Sequence, residues 1–154
     1  MGDHRAEAFA GRLAERGIVV SPREMDESTH TAEQAAAALG CGVEAIVKSL
    51  LFFAGDEPVL VLASGPNRVD TALIGEIVGS PVVMADAKAV KRVTGSSIGG
   101  VPPLGHPAPI RTIFDETLLE LPVVWAAAAS QVSVFDIEPH RLAELTSATV
   151  ARVS

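Results

Sequence analysis

Cysteine is almost absent from this sequence, in which Cys41 is the only one. A lone thiol excludes an intrachain disulfide and a thiolate cluster for zinc, and it fits a reducing compartment. The four histidines are too scattered for a familiar metal-ligand spacing. The histidines are His4, His30, His106 and His140. We therefore expect a cytoplasmic protein with no metal site.

Several common signatures are also missing. The sequence has neither a Walker phosphate loop nor the glycine fingerprint of dinucleotide-binding folds, so we expect no nucleotide cofactor. The charged amino terminus, residues 3–7, leads into no continuous apolar stretch of the kind that a signal peptide or a membrane span requires. Neither secretion nor membrane insertion is expected.

Positive charge is scarce. The chain has 12 Lys and Arg against 19 Asp and Glu, a formal net charge of −7. A protein that binds nucleic acid broadly usually carries a basic face that neutralises phosphates. Extensive contact with a nucleic-acid body is therefore not expected, and only a local patch from Arg68, Lys88, Lys91 and Arg92 could meet phosphates.

The size and apolar content that are present indicate a folded domain. The 154 residues are 48% hydrophobic and 20% charged, which is typical of an ordered globular protein. Domains commonly hold roughly 100 to 200 residues. We expect residues 1–154 to form one domain around a single core.

Helical and strand patterns are mixed along the chain. Thr31 and Gln34 have the spacing of a capping box, and Asp70 and Asp86 can each cap a helix. Strand-like runs flank the turn at Gly55 and Asp56, which predicts a hairpin. The class expected is α/β (α+β), a mixed β-sheet surrounded by helices, with a strand order that the sequence does not specify. Helices are predicted over 3–16, 35–39, 43–49, 71–78, 87–93 and after Pro139, and strands over 50–54, 59–63, 82–84, 110–114, 123–127, 132–135 and 149–153.

Gly95 to Gly99 match the nucleophile elbow of serine esterases, with Ser97 as the nucleophile. The motif requires a strand before the serine and a helix after it. Here a predicted helix comes first, and Pro102 and Pro103 follow too soon for another. A serine esterase is kept as a minor alternative.

Glycine and proline are densest from Gly99 to Gly105. Glycines let backbone amides converge and prolines hold a loop rigid, so this loop could hold an anion or a developing oxyanion. A tight structural turn explains the composition equally well.

Lys48 interrupts an apolar run that includes Ile46, Val47 and Leu50. Its ammonium could extend to water from the last turn of a helix, where the helix dipole favours a cation. Alternatively, it points into a polar cleft.

The ordered set of motifs resembles the YbaK family of freestanding aminoacyl-tRNA editing domains, in register from about Thr31 to Val153. No single piece is diagnostic, but their order is. The pieces are Thr31 to Glu33, Ala35 to Gly40, Ile46 to Leu50, Arg68 to Asp70, Thr94 and Gly95, Gly99 to Gly105, Asp115 with Leu118 and Leu119, and Val124 to Ala127.

The resemblance implies an activity and two site residues. Family members are similar to the editing domain of bacterial prolyl-tRNA synthetases and hydrolyse the ester that joins a wrong amino acid to tRNA. The family's lysine matches Lys48, and its GxxxP loop matches Gly99 to Pro103. Lys48 and the Gly99 amide would hold the ester and its developing charge while water attacks.

The resemblance also implies a pocket and partners. Further candidates for substrate binding are Gly100, Pro103, Gly105, Ser49, Thr31 and His30. The acceptor end of aminoacyl-tRNA, above all tRNA for proline, is the implied ligand, and prolyl-tRNA synthetase is a candidate partner. Relatives commonly carry glycine near Ala128 or Ala129, so their pocket shape is not carried over to this chain. A binding module that keeps the fold without hydrolysis stays open as an alternative.

Overall fold

The protein contains two β-sheets with helices packed around them. The computed structural model describes residues 3–26 and 31–154. In these residues the helices are α1 His4–Ala14, α2 Ala32–Leu39, α3 Thr71–Val78, α4 Ala87–Thr94 and α5 Pro139–Leu145, with 3₁₀ turns at Val43–Ala45 and Glu116–Glu120. The strands are β1 Arg23–Glu24, β2 Val47–Ala54, β3 Glu57–Ser64, β4 Val83–Met84, β5 Arg111–Asp115, β6 Val124–Ala127, β7 Ser133–Ile137 and β8 Thr149–Ala151.

Local capping explains where most helices begin. The capping box before α2 is confirmed, because the Thr31 hydroxyl accepts from the Gln34 amide and the Gln34 side chain accepts from the Thr31 amide, each at 3.1 Å. Asp70 and Asp86 cap α3 and α4 as the sequence predicts. Gly40 ends α2 in the left-handed conformation, with φ of 71°.

The larger sheet has the order β4-β2-β3-β5-β8 and is mixed. The predicted hairpin is confirmed: β2 and β3 are antiparallel from Val47 opposite Ser64 to Ala54 opposite Glu57. The β3–β5 and β5–β8 pairs are parallel. The smaller sheet, β1-β7-β6, is antiparallel. The α+β class is therefore confirmed, but the strands form two sheets where one was expected.

The predicted helix over residues 43–49 is wrong. Only a 3₁₀ turn forms, Val43–Ala45, and β2 already begins at Val47. The β-branched Ile46 and Val47 favour extended backbone, and a complete ladder with β3 satisfies the backbone groups that a helix would have used. Lys48 consequently lies in a strand opposite Ala63, and the helix-end interpretation of this lysine no longer applies.

Helix α1 packs on the smaller sheet and on the segment from Gly99 to Gly105, which we call the glycine-proline loop. Phe9 is fully buried, and its ring centroid lies 5.4 Å from that of Phe135 in β7. A Cβ atom on Gly105 would lie 3.2 Å from both Phe9 and Leu13, so this glycine permits close contact between loop and helix. The far end of the loop is thus part of the α1 packing.

None of the helices in the described residues has the length and continuous apolar character of a membrane span.

Candidate active site

A cleft of about 320 Å³ lies where the first half of β2 approaches the smaller sheet. Ile46 forms a parallel bridge to Trp125 in β6, which joins the two sheets at this point. On that side β2 pairs with β4 only at Phe52 and Phe53, so the strand edge near Lys48 borders the cleft. The walls come from α2, β2, β6, the start of the glycine-proline loop and Gln131.

The Lys48 ammonium is held beside this cleft by the backbone. Its Nζ donates a hydrogen bond to the Asn67 carbonyl oxygen at 2.6 Å. Burial lowers the pKa of Lys48 below its ordinary value, and the negative charges of Glu33 and Asp115 partly oppose that shift. The cation is therefore partly desolvated, which strengthens its interaction with any negative charge that enters the cleft.

Asp115 secures the loop that carries the Asn67 carbonyl. The carboxylate is 1% exposed and accepts from the Ser64 amide at 3.0 Å, the Asn67 side chain at 2.9 Å and the Thr117 amide at 3.0 Å. Several donors on one buried carboxylate hold the surrounding chain in one arrangement. Sequence reasoning did not identify Asn67 as a site residue. The only sequence signal for it is an asparagine in a loop otherwise built of Ser, Gly and Pro.

Gly99 lies at the rim of the cleft with φ of 90°, a conformation that favours glycine. Its amide makes no hydrogen bond within residues 3–26 and 31–154, whereas the next amide, of Gly100, donates to the Ser97 carbonyl at 2.9 Å. The Gly99 amide is thus open to a ligand among the described contacts, as are the amides of Ser97 and Ile98 in the same turn. Lys48 and Gly99, which the resemblance assigns to one site, line the same cleft.

The other predicted substrate-binding residues divide into three groups. Thr31 and Ser49 line the cleft, and the buried Ser49 hydroxyl has no hydrogen-bond partner in the described part of the chain. Gly100, Pro103 and Gly105 do not line it, and the structure does not bring them to Lys48. His30 lies outside the described residues.

Residues of the glycine-proline loop therefore line more than one cavity. Gly99 and Val101 line the Lys48 cleft, while Gly105 lines a larger cavity of about 640 Å³ beside α1. Pro103 is buried, and a Cβ on Gly100 would lie 2.9 Å from the Ser130 carbonyl carbon. Past Gly99, the glycines and prolines mainly permit packing against the rest of the chain.

Gln131 is a further cleft residue that sequence reasoning missed. Its Nε2 donates to the Ile98 carbonyl at 2.7 Å, and its side chain lies against Gly99. The turn before it contains Ala129 with φ of 63°, a strained conformation for a residue other than glycine. A glycine at this point of the turn would avoid that strain.

The esterase alternative does not fit the fold. Helix α4, not a strand, precedes Ser97, and no helix follows it within the described residues before β5. Ser97 is exposed in a turn and does not line the Lys48 cleft. The nucleophile-elbow interpretation is therefore wrong in its structural context.

The chemistry available in the cleft is electrostatic. Among the described residues, its walls contain one cation, Lys48, and no carboxylate or imidazole. The rest of the chain that the structure describes contains no group of three His, Cys, Asp or Glu side chains that could hold a metal. An ammonium and a free amide can polarise a carbonyl and stabilise an oxyanion.

An α+β domain with this cleft matches the architecture of tRNA-editing proteins. The chain belongs to the aminoacyl-tRNA editing domain family, whose model matches residues 26–145. The resemblance to the YbaK family is thereby confirmed.

Similar proteins include freestanding chains and synthetases. A solved structure named as a candidate trans-editing enzyme for prolyl-tRNA synthetase is 39% identical, covers 100% of this chain and 99% of its own, and has a TM-score of 0.96. The uncharacterized protein YwhH of Bacillus subtilis is 31% identical over 128 residues, 82% of each chain. The proline–tRNA ligase of Lactobacillus helveticus is 36% identical over 92 residues, 59% of this chain but 16% of the ligase.

Proposed function

We propose that this protein is a trans-acting aminoacyl-tRNA deacylase, a hydrolase that removes wrongly attached amino acids from tRNA for proline. The observation that carries the proposal is that one cleft is lined by both Lys48, a partly desolvated lysine, and Gly99, whose amide makes no hydrogen bond among the described residues. The family is defined by aminoacyl-tRNA editing, and a carboxylic ester is the bond that editing breaks.

In the proposed reaction, water attacks the carbonyl carbon of the ester. The carbonyl oxygen becomes an oxyanion that the Gly99 amide stabilises, and Lys48 supplies positive charge beside it. The bond from carbon to the ribose oxygen then breaks, and that oxygen takes a proton from the attacking water. The products are a free amino acid and uncharged tRNA, and no covalent intermediate with the protein forms.

Two comparisons favour tRNA for proline as the substrate. The editing-type segment recurs in proline–tRNA ligases, and a freestanding structure of the same length is named for trans-editing alongside that synthetase. A freestanding domain must meet the charged tRNA after its release or in contact with the synthetase. We therefore propose prolyl-tRNA synthetase as a candidate partner and the cytoplasm as the location.

The test is a panel of mischarged tRNAs incubated with the protein and followed for loss of the ester. We expect turnover of one or a few mischarged tRNAs for proline, loss of turnover in Lys48→Ala, and full turnover in Ser97→Ala. Binding without ester loss across the whole panel would instead identify a binding module and overturn the proposal. Loss of activity in Ser97→Ala, together with labelling by a serine reagent, would support the esterase.

A further inference from the structure

Four cations line two adjoining cavities beside α1, away from the Lys48 cleft. Arg5, Arg12 and Arg16 line the cavity of about 640 Å³, and Arg5 and Lys91 line a small cavity next to it. The two cavities share Arg5, Ser96 and Ala129 in their walls. We call Arg5, Arg12, Arg16 and Lys91 the basic track.

The arginines of the track share one side of α1 or its direct continuation. Arg12 and Arg16 follow Arg5 by seven and eleven residues, about 1.9 and 3.1 helical turns, so all three project in nearly the same direction. At 1.5 Å per residue they extend over about 16 Å along the axis. All three side chains are exposed. A row of exposed guanidinium groups of this length suits an extended polyanion better than a single ion.

The four cations of the track form no salt bridge with a carboxylate in residues 3–26 and 31–154. No described wall residue of either cavity is an Asp or Glu. The nearby Asp3 carboxylate accepts hydrogen bonds from the Ser130 and Ser133 hydroxyls. In a chain of net charge −7 with 12 Lys and Arg, four cations that form no ion pair with a described carboxylate are a local exception to the acidic composition. Lys91 donates to the Gly95 carbonyl oxygen at 3.1 Å, a contact that leaves its charge in place.

His106 adds shape but no charge to this surface. It lines the larger cavity, and its two buried ring nitrogens lack hydrogen-bond partners within the described residues. Burial and the adjacent Arg12 lower its pKa to about 4, so the ring is neutral near pH 7. The positive potential therefore comes from the arginines and Lys91.

The Lys48 cleft and the small cavity of the basic track share one wall residue. Gln131 lines both that cleft and the small cavity that contains Arg5 and Lys91. Its side chain also contacts the Gly99 turn at the rim of the cleft. A chain molecule whose end lies beside Lys48 can thus leave the cleft past Gln131 and continue along α1.

We propose that the basic track binds the phosphates of the tRNA strand whose aminoacylated end occupies the Lys48 cleft. This inference rests on the proposed function for the identity of the strand. The track provides the phosphate neutralisation that the overall composition lacks, and it adds the α1 arginines to Lys91 of the patch considered from sequence. Specificity for the amino acid stays with the cleft.

The experiment compares two pairs of substitutions with equal loss of charge. Arg12→Gln with Arg16→Gln removes half of the track, and Arg141→Gln with Arg152→Gln removes two exposed arginines that line neither cavity. Binding of uncharged tRNA is measured over a range of salt concentrations. Deacylation is measured with a mischarged tRNA and with the matching aminoacyl-adenosine, which has no phosphates.

We expect the track pair to bind tRNA roughly tenfold more weakly, because it loses two charge-assisted contacts. The slope of log affinity against log salt should fall by about 1.4, since each single-strand phosphate contact contributes about 0.7. The value of kcat/KM should fall for the tRNA and stay unchanged for aminoacyl-adenosine. Arg12→Lys, which keeps the charge, should retain binding, and this separates charge from the packing of Arg12 over the Phe9 ring.

Equal behaviour of the track pair and the control pair in tRNA binding would overturn the basic track even if the wild-type protein hydrolyses the ester. Absence of tRNA binding by the wild-type protein would overturn it as well. If no ester is cleaved but the track pair alone loses tRNA binding, the basic track stands and the proposed function fails. The two proposals can therefore fail separately.

Discussion

Lys48 and Asn67 are joined by a 2.6 Å hydrogen bond from the ammonium to a backbone carbonyl, across 19 residues of sequence. The Asn67 side chain in turn donates to the buried Asp115 carboxylate at 2.9 Å. The position of the cation therefore depends on a loop that a third element, the end of β5, holds in place. A flexible lysine side chain is thereby confined near one point of the cleft, which lowers the entropy cost of using it there.

Lys48→Ala should lower the single-turnover deacylation rate by about 10² or more, because a partly desolvated cation stabilises negative charge better than one in water. The free energy of unfolding should change by about 1 kcal/mol or less. Arg141→Ala, an exposed arginine on α5, is the control and should leave the rate intact. An unchanged rate in folded Lys48→Ala would reject the role given to this lysine.

Asp115→Asn should move the pH dependence of deacylation. The Asp115 charge raises the pKa of Lys48 against the effect of burial, so its removal should lower that pKa further. The rate that depends on the ammonium should then decline at a lower pH than in the wild type, after correction for spontaneous hydrolysis. Asn67→Ala leaves the Asp115 charge in place and is the matched control. A pH profile that moves equally in both variants would contradict an electrostatic role for Asp115.

Asp115→Asn should also destabilise the protein. One carboxylate oxygen accepts from the Ser64 amide and the Asn67 side chain, and the other accepts from the Thr117 amide. An amide group keeps one acceptor oxygen, so its NH2 turns toward at least one of these donors. Loss of such buried hydrogen bonds costs about 1 to 3 kcal/mol. Denaturant unfolding at pH 7 measures this cost and shows over which range of conditions the pH profile can be recorded on folded protein.

Gly99→Ala and Gly100→Ala should have different consequences although the residues are adjacent. A Cβ on Gly99 meets nothing closer than 3.8 Å, so its cost is the strain of φ at 90°, about 1 to 2 kcal/mol, together with displacement of the amide and a lower deacylation rate. A Cβ on Gly100 collides with the Ser130 backbone and should mainly lower the melting temperature. Melting curves and rates on both variants test this, and a Gly99→Ala protein with full activity would contradict the assignment of its amide.

Ala129→Gly should stabilise the protein by about 0.5 to 1 kcal/mol. Ala129 has φ of 63°, and the relief of left-handed strain exceeds the backbone entropy that glycine loses on folding. Ala127→Gly, in regular strand β6, is the control and should destabilise by a similar amount. Equal destabilisation in both variants would show that the turn carries no strain at Ala129.

His106 should make the protein less stable in mild acid. Its pKa is about 4 in the folded chain against an ordinary 6.5, so its contribution is complete above pH 6.5 and is lost as pH falls toward 4. The loss between pH 7 and pH 4.5 should be of the order of 2 kcal/mol. In His106→Gln the free energy of unfolding should change less between these two values, as denaturant unfolding can measure. The same pH dependence in both proteins would show that the ring is not held neutral.

Local sequence was informative wherever neighbouring residues decide the structure. Capping by Thr31, Asp70 and Asp86 and the hairpin at Gly55 depend on groups a few residues apart, and the structure confirms them. The segment 43–49 shows the limit of this reasoning. Its local pattern suits a helix, but pairing with β3, a partner some 15 residues further along the chain, decides the conformation.

Short-range signals in the sequence predicted the helix starts and the α+β class, and the resemblance to the editing family joined Lys48 and Gly99 in one candidate site. Long-range packing divides the strands into two sheets, sets Gly105 against α1, places the Asn67 carbonyl on the Lys48 ammonium and brings Gln131 to the cleft. The two kinds of feature differ in how far apart in sequence the interacting groups lie. Caps and turns are satisfied within one turn of chain, whereas a cleft forms where distant segments pack, and the partners of each side chain there depend on the whole fold.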